Sequence, residues 1–283
     1  MSELSFQSHF ESESPPPESP NGEQLTVEKA LANLTHEDVS LRYYAAWWLG
    51  KFGAGVPGVV DALITALHDE DDRTELGGYP LRRNAARALG KLGDRRAVPE
   101  LLECLECSDF YVRAAAAQSL GMLGDPACIP AMMNVLSGGV EAAQLVPGRP
   151  HLAKPVEAAM EALESLRATE AVPLMEPFLQ HPVPRVQYAA ARALYVLTQN
   201  PVYGQRLVQA LAGADLKLRR KLLLDLGASG YLPGAEAIAH ANVENSFKMI
   251  ALKNLLESNL RQMSPISLSP AATHVMTLMD ALL

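Results

Sequence analysis

A single motif recurs along the chain and constrains the fold more than any other feature. In the segment from Asp109 to Leu136 its order is an acid, a hydrophobe followed by arginine, a run of alanines, Leu-Gly, and a proline opening a second apolar stretch. The same order lies at Ser40 to Gly53, Pro80 to Leu105 and Asp215 to Gly230. Weaker copies run PVEAAMEALESLRATEAVPLMEPFL, VQYAAARALYVL and FKMIALKNLLES. The recurrent leucines are Leu49, Leu89, Leu120, Leu163, Leu194, Leu226 and Leu255, with steps of 40, 31, 43, 31, 32 and 29 residues. A base period of about 30 residues is the mark of a solenoid. The two long steps carry loop-like insertions, HDEDDRTELGGYP at 68–80 and SGGVEAAQLVPGRPH at 137–151. Solenoids tend to gather insertions on one edge.

Each repeat reads as two helices. Asp109 suits an N-cap, where its carboxylate meets orphan N–H groups and the positive helix end. Val112, Ala116 and Leu120 fall at i, i+4 and i+8 and make an apolar stripe. Alanines allow helices to approach closely, and Gly121 and Gly124 are read as relaxing the helix end. Pro130 opens the second helix, where a missing N–H costs nothing. One pair cannot bury its own face, so stacking must supply the core. The reading is all-α: a helix-pair superhelix, or α/α solenoid, over residues 24–262.

Residues 1–23 are rich in serine, proline and glutamate and read as a disordered tail. Thr26 is placed to cap the first helix. Residues 263–283 end in an apolar face of Val275, Leu278, Met279 and Leu282, read as a capping or partner-docking helix.

Composition narrows the function classes. A net charge of -8 argues against nucleic-acid wrapping, which needs a basic surface. Three cysteines, Cys104, Cys107 and Cys128, are too few and too odd for a disulfide framework. Cys104-x-x-Cys107 lacks the second pair of a zinc site and falls in a helix, so packing explains it better. No apolar run approaches the roughly 20 residues of a membrane span. The acidic start fits neither a signal nor a transit peptide, which predicts a cytoplasmic chain. Nor is there a phosphate-binding glycine loop or a nucleophile elbow.

The block RYYAAWWLGKF (42–52), the stretch DDRTELGGYPLRRNAARALGKLGD (71–94) and ECSDFYVRAAAAQSLGMLGD (106–125) resemble the HEAT-like repeats of bilin lyases. Within that family they are most similar to the E-type subunits of heterodimeric phycocyanobilin lyases. The likeness spans about residues 25–260 and weakens after residue 140, where Val156 and Gln187 replace the arginine. The resemblance implies an enzyme subunit working with an F-type partner in phycobilisome assembly in cyanobacteria. It implies attachment of phycocyanobilin, as substrate, to a cysteine of the phycocyanin α subunit, on the concave face. No cofactor is permanently bound and no metal is implied. Two rivals remain open: a non-catalytic scaffold or chaperone for phycobiliprotein, and a lyase or lyase-isomerase subunit for another bilin. A di-iron hydroxylase on similar repeats would need recurrent His-Glu pairs, and His36-Glu37 stands alone.

A bilin carries two propionates, a polarisable face and several pyrrole nitrogens. Holding it calls for cations, aromatics and a carboxylate. Register comparison picks candidates. Tyr43 shares its column with Arg83 and Ala114, and Trp47 with Arg87 and Gln118, so neither column is core. Tyr43 and Trp47 are therefore either an exposed pigment or partner surface, or are buried beneath the N-terminal helix. Tyr44 and Trp48 are the more core-like aromatics. The column Arg42, Arg82, Arg113 and Arg219 reads as a structural ladder, whereas Arg83 and Arg87 are freer for propionates or an acidic partner. In the first insertion, Gly77-Gly78 permits a turn and Pro80 stiffens the return. Arg73, Glu75 and Tyr79 then project from a constrained rim. Glu75 is the carboxylate candidate. Asp109 is the alternative catalytic acid, competing with its reading as an N-cap.

Overall fold

The computed structural model describes residues 25–261 and 269–283. The Ser/Pro/Glu-rich segment 1–23 and the start of the segment after 262 lie outside the described residues. The chain forms two compact units, one holding the residues up to Leu136 together with Ala142–Leu166, the other Ser137–Glu141 and Arg167–Leu283.

The first unit contains α1 (Val27–Asn33), α2 (Val39–Phe52), α3 (Val59–Ala66), α4 (Pro80–Leu92), α5 (Val98–Glu103), α6 (Phe110–Leu123) and α7 (Ile129–Leu136). After the short α8 (Gly139–Ala142) it ends with α9 (Val156–Ser165). Thr26 accepts from Lys29 N and starts α1. Asp38 and Asp109 cap α2 and α6 through the N–H two residues on. Helices α2, α4, α6 and α9 lie side by side in sequence. Their alanines and leucines are buried, with Leu49, Leu89, Leu120 and Leu163 fully enclosed.

The Leu-Gly glycines do not relax helix ends, contrary to the expectation above. They lie inside the helices and set the spacing between them. A methyl on Gly50 would sit 2.7 Å from Ala88 Cα; on Gly90, 2.8 Å from Ser119 Cα; on Gly121, 2.7 Å from Ala162 Cα. Gly227 stands in the same relation to Ala251 in the other unit, at 2.8 Å. The end is made by the next glycine: Gly93, Gly124 and Gly230 adopt left-handed φ of 74°, 65° and 76°. A Gly-x-x-Gly pair therefore does two jobs, close approach and termination.

At the other end of the helices the arginine column ties repeat to repeat. Arg42 reaches His36 O and Asp69; Arg113 reaches Cys107 O and, forty residues on, Ala153 O. Arg82 turns back to Asp69 O and His68 O, closing the first insertion. With C-terminal contacts at the glycines and N-terminal contacts at the arginines, α2, α4, α6 and α9 run parallel with their N-termini on one edge.

The second unit contains α10 (Val172–Met175), α11 (Pro184–Thr198), α12 (Pro201–Gly213), α13 (Leu216–Ser229), α14 (Ala235–Ala239), α15 (Asn245–Arg261) and α16 (Pro270–Asp280). Arg219 again bonds a carbonyl of the next repeat, Asn242 O. Gln187, which breaks the column in sequence, still donates to His181 O six residues back, as Arg42 and Arg113 do. Helix α16 packs on α14 and α15, burying Val275 in their core.

The Gly-x-x-Gly division of labour sets up a comparison. Gly121→Ala must push α6 from the backbone of α9, so it should cost about 1–3 kcal/mol, the usual range for overpacking. Gly124→Ala meets only the left-handed backbone penalty, about 1 kcal/mol. Urea unfolding followed by helical circular dichroism ranks the two. A neutral Gly121→Ala would defeat the close-approach account.

Candidate functional site

The irregular part of the first unit is the junction of α2, α4 and the insertion between them. Pro80 opens α4 with no side-chain cap from Tyr79. The missing acceptor comes from farther back: Asp72, buried, takes the Leu81 N–H at 2.8 Å. Asp69 in turn accepts the Asp72 N–H and pairs with Arg42. Burial pushes the Asp72 carboxyl above its ordinary range, with the Leu81 N–H pulling the other way. Sequence reasoning missed Asp72. The available signal was a helix starting at proline without a cap residue, behind an acidic run.

The tip of the insertion is closed by its own backbone. Thr74 N donates to Gly78 O, Gly78 N to Thr74 Oγ1, and Gly77 N to Thr74 O, all at 2.8–2.9 Å, with Gly77 at φ 81°. The Tyr79 ring lies under two cations, 4.3 Å from the Arg82 guanidinium and 5.4 Å from that of Arg73. Tyr79 N donates to Asp109 Oδ2 while Asp109 Oδ1 caps Tyr111 N. Both Asp109 oxygens thus hold backbone, which makes it the joint between the insertion and α6. Glu75 and Leu76 stand exposed at the tip, Leu76 at 76%.

The aromatic block faces two ways. Trp48 is buried, and Tyr44, half-buried, stacks on Trp47 at 5.5 Å. Trp47 is half-buried with Lys51 5.8 Å from its ring centre. Tyr43 is 40% exposed. Asn84 of α4 donates to Tyr43 O, which sets the Tyr43–Trp47 row of α2 beside the Arg83–Arg87 row of α4. Arg83 and Arg87 form no hydrogen bond or ion pair with any described residue, and the Arg83 Nε is buried without an acceptor. Arg87 has much of its surface in water, yet the surrounding protein still disfavours its cation, and the Arg83 charge adds to this.

Sequence-derived candidates therefore fall into two groups joined by α4: Tyr43, Trp47, Arg83 and Arg87 on the helical face, and Arg73, Glu75 and Tyr79 in the insertion, with Glu75 exposed at its tip. Cys104 and Cys128 are in packing positions, while Cys107 is half-buried. Burial raises the Cys104 thiol to about 12 and Cys128 to about 11, leaving both inert at neutral pH.

Comparison with known proteins gives this geometry a context. Residues 41–69 match the model for the PBS lyase HEAT-like repeat, residues 79–141 that for HEAT repeats, and residues 171–200 that for the HEAT repeat. The chain is 64% identical over 264 residues to the phycocyanobilin lyase subunit alpha of Nostoc sp., covering 93% of this chain and 96% of that one. It is 66% identical to the namesake of Thermosynechococcus vestitus over 86% of this chain and 90% of that one. A solved complex of CpcE and CpcF of phycocyanin lyase from Nostoc sp. contains a chain of the same fold, with TM-score 0.84 and 63% identity, covering 97% of this chain and all of that one. The chain belongs to the phycocyanobilin lyase alpha-subunit family.

In this family member the second insertion is more structured than a loop. Its start forms α8, and Ala153 N donates to Gln144 O around an antiparallel Leu145–Leu152 bridge. The hairpin lays His151 flat on Phe110, 4.4 Å apart at 8°, and edge-on to Tyr111 at 5.6 Å. Sequence reading did not single out His151. Its partners lie forty residues away, and nothing local marks the pairing.

The buried Asp72 yields a signed pH test. Its raised folded pKa means the folded state holds the proton more tightly, so its contribution falls as pH rises from the ordinary 3.8 through the folded value. Asp72→Asn keeps an acceptor for Leu81 N but carries no charge. Wild type should lose ground to Asp72→Asn as pH rises across that window, measured by Tm from pH 3.5 to 7. Asp72→Ala loses the acceptor and should cost about 1 kcal/mol throughout.

Proposed function

We propose that this lyase subunit holds phycocyanobilin on the α2–α4 face and, with an F-type partner, presents it to a cysteine of the phycocyanin α subunit for thioether formation. The observation that carries the reading is the Arg83–Arg87 pair. Two guanidiniums four residues apart repel one another on a helix. Elsewhere in the first unit Arg42, Arg82, Arg95, Arg96 and Arg113 all have acceptors. Arg73 and Arg149 show no acceptor either, but they are exposed in the insertions, whereas this pair stands beside Tyr43 and Trp47 with the Arg83 Nε buried. A ligand with two carboxylates and a flat conjugated body complements that set.

The chemistry is an addition. The acceptor's sulfur forms a C–S bond at the exocyclic double bond of the pigment, and that bond's electron pair moves into the conjugated system. The thiol proton is balanced by one delivered to the pigment. Nothing is oxidised and no group leaves. Arg83 and Arg87 would hold the propionates, Trp47 and Tyr43 the face, and Glu75 would serve the pyrrole N–H groups or carry the proton. Arg73 and Tyr79 would stiffen the rim. Asp109, with both oxygens committed, is assigned to the joint. Pigment is substrate rather than resident cofactor. No helix among the described residues is long and apolar enough to cross a membrane, and the proposed site of action is the cyanobacterial cytoplasm.

Removing the arginines separates binding from folding. Arg83→Ala or Arg87→Ala should weaken pigment binding to the heterodimer by about tenfold to a hundredfold, the worth of one charge-assisted hydrogen bond. For Arg87→Ala thermal stability should hold or rise slightly as the repulsion is relieved; for Arg83→Ala the lost attraction to the buried Asp72 opposes that gain. Fluorescence titration and Tm decide it; unaltered binding would remove the propionate assignment.

The activity is tested by co-expressing apo-α-phycocyanin and the pigment with this chain, with and without the F-type partner. Covalent pigment should appear only with both subunits. Equal attachment without the partner would end the heterodimer claim, and none with it would end the lyase claim. Glu75→Gln should slow attachment by about a hundredfold if it moves the proton. An unchanged rate would leave the chain as the holder of pigment, with the proton supplied elsewhere.

A further inference from the structure

The parallel helices of the first unit end on one edge, and both insertions meet there. At the edge of α2 stands Val39, at the first insertion Leu76, at α6 Tyr111, and at the hairpin Leu145, exposed by 43%, 76%, 41% and 50%. Local bonds tie the segments that carry them to one another. Arg42 ties the start of α2 to Asp69, Asp109 ties the first insertion to α6, and Arg113 ties α6 to Ala153 of the hairpin. Neighbouring packed helices lie about 8–10 Å apart, so four of them set a row roughly 30 Å long. That is the breadth of a standard protein interface, about 800 Å² a side.

The charges between these side chains are mostly acidic. The side chains of Glu70 and Asp71 are 84% and 82% exposed despite long pairings with arginine, and Glu106 is exposed before α6. Arg73 in the first insertion and Arg149 at the hairpin are exposed exceptions. The pigment face on α4 has the opposite sign. A permanent subunit joint is built as a continuous apolar core, whereas isolated apolar anchors among solvated charges suit a partner that must leave. The acceptor protein must leave after each reaction. Its thiol must also reach the pigment face, and this edge adjoins that face where the first insertion enters α4.

We infer that the N-terminal edge of α2, α4, α6 and the hairpin is the docking surface for the acceptor protein, taking a segment of apolar side chains ringed by lysine or arginine. This rests on the lyase reading but is tested separately, by acceptor affinity rather than by attachment. The probe is apo-α-phycocyanin without pigment, titrated into the heterodimer. Leu76→Ser/Leu145→Ser should weaken its binding about tenfold, and Glu106→Lys a few-fold, with the salt dependence reduced. Pigment binding, heterodimer assembly and Tm should stay as in the wild type. Unchanged acceptor affinity in the double variant overturns the inference. So does dissociation of the heterodimer, which would make the edge the subunit joint, or loss of a wild-type self-association, which would give it to a second copy. Failure of the lyase reading shows instead as absent attachment with acceptor binding intact.

Discussion

The contact between each Leu-Gly glycine and a small residue of the next repeat is what everything else here depends on. Glycine inside a helix costs about 1 kcal/mol relative to alanine. Four such glycines persist because each one lets a neighbouring backbone come within the reach of a single methyl. At that spacing side chains cannot fill the gap, so register is fixed rather than preferred. Ser119 shows the consequence. It fits against Gly90 and donates its hydroxyl to Ala86 O, a buried bond that only close helices permit.

Fixed register at the glycine end fixes the opposite end as well. Each column arginine then meets the same kind of target, a carbonyl in the loop before its own helix and, at Arg42, Arg113 and Arg219, a group of the following repeat. The arginine satisfies loop carbonyls that would otherwise be orphaned at a crowded edge. Gln187 shows that the role belongs to the position rather than to the charge, since its amide reaches the same carbonyl six residues back.

Much of this was legible in the sequence because it is local or periodic. The repeat, the caps at Thr26 and Asp109, the ladder role of the arginine column and the inward Trp48 all follow from spacing and residue type. What spacing could not show was the purpose of Gly121. A glycine three residues from a helix end looks like a terminator until its neighbour is known. Asp72 and His151 were invisible for a related reason. Their partners, Leu81 and Phe110, are defined by the return path of an insertion, and insertions have no period. The same irregularity blurred the rim: sequence pointed to Tyr79 and Asp109 separately, but not to the hydrogen bond between them.

Regularity itself explains why the unpartnered cations stand out. A repeat protein reuses one solution for each position, and here the solution for arginine is an acceptor in an adjoining loop. Arg83 and Arg87 sit one step round the helix from that position, on the face that α6 fills with Ala114 and Gln118. Substituting either with alanine would remove a repulsion and break no hydrogen bond to a described residue, although Arg83 also attracts the buried Asp72 carboxylate. Stability alone therefore gives little reason to keep them, and the buried, unsatisfied Arg83 Nε is a reason to discard them. The proposed pigment, which arrives with acceptors of its own, would offset that cost. Arg42, Arg82 and Arg113 instead spend donors on the frame. In the proposed reading, the site rests on Arg83 and Arg87, which lack acceptors and also stand beside exposed or half-buried aromatics.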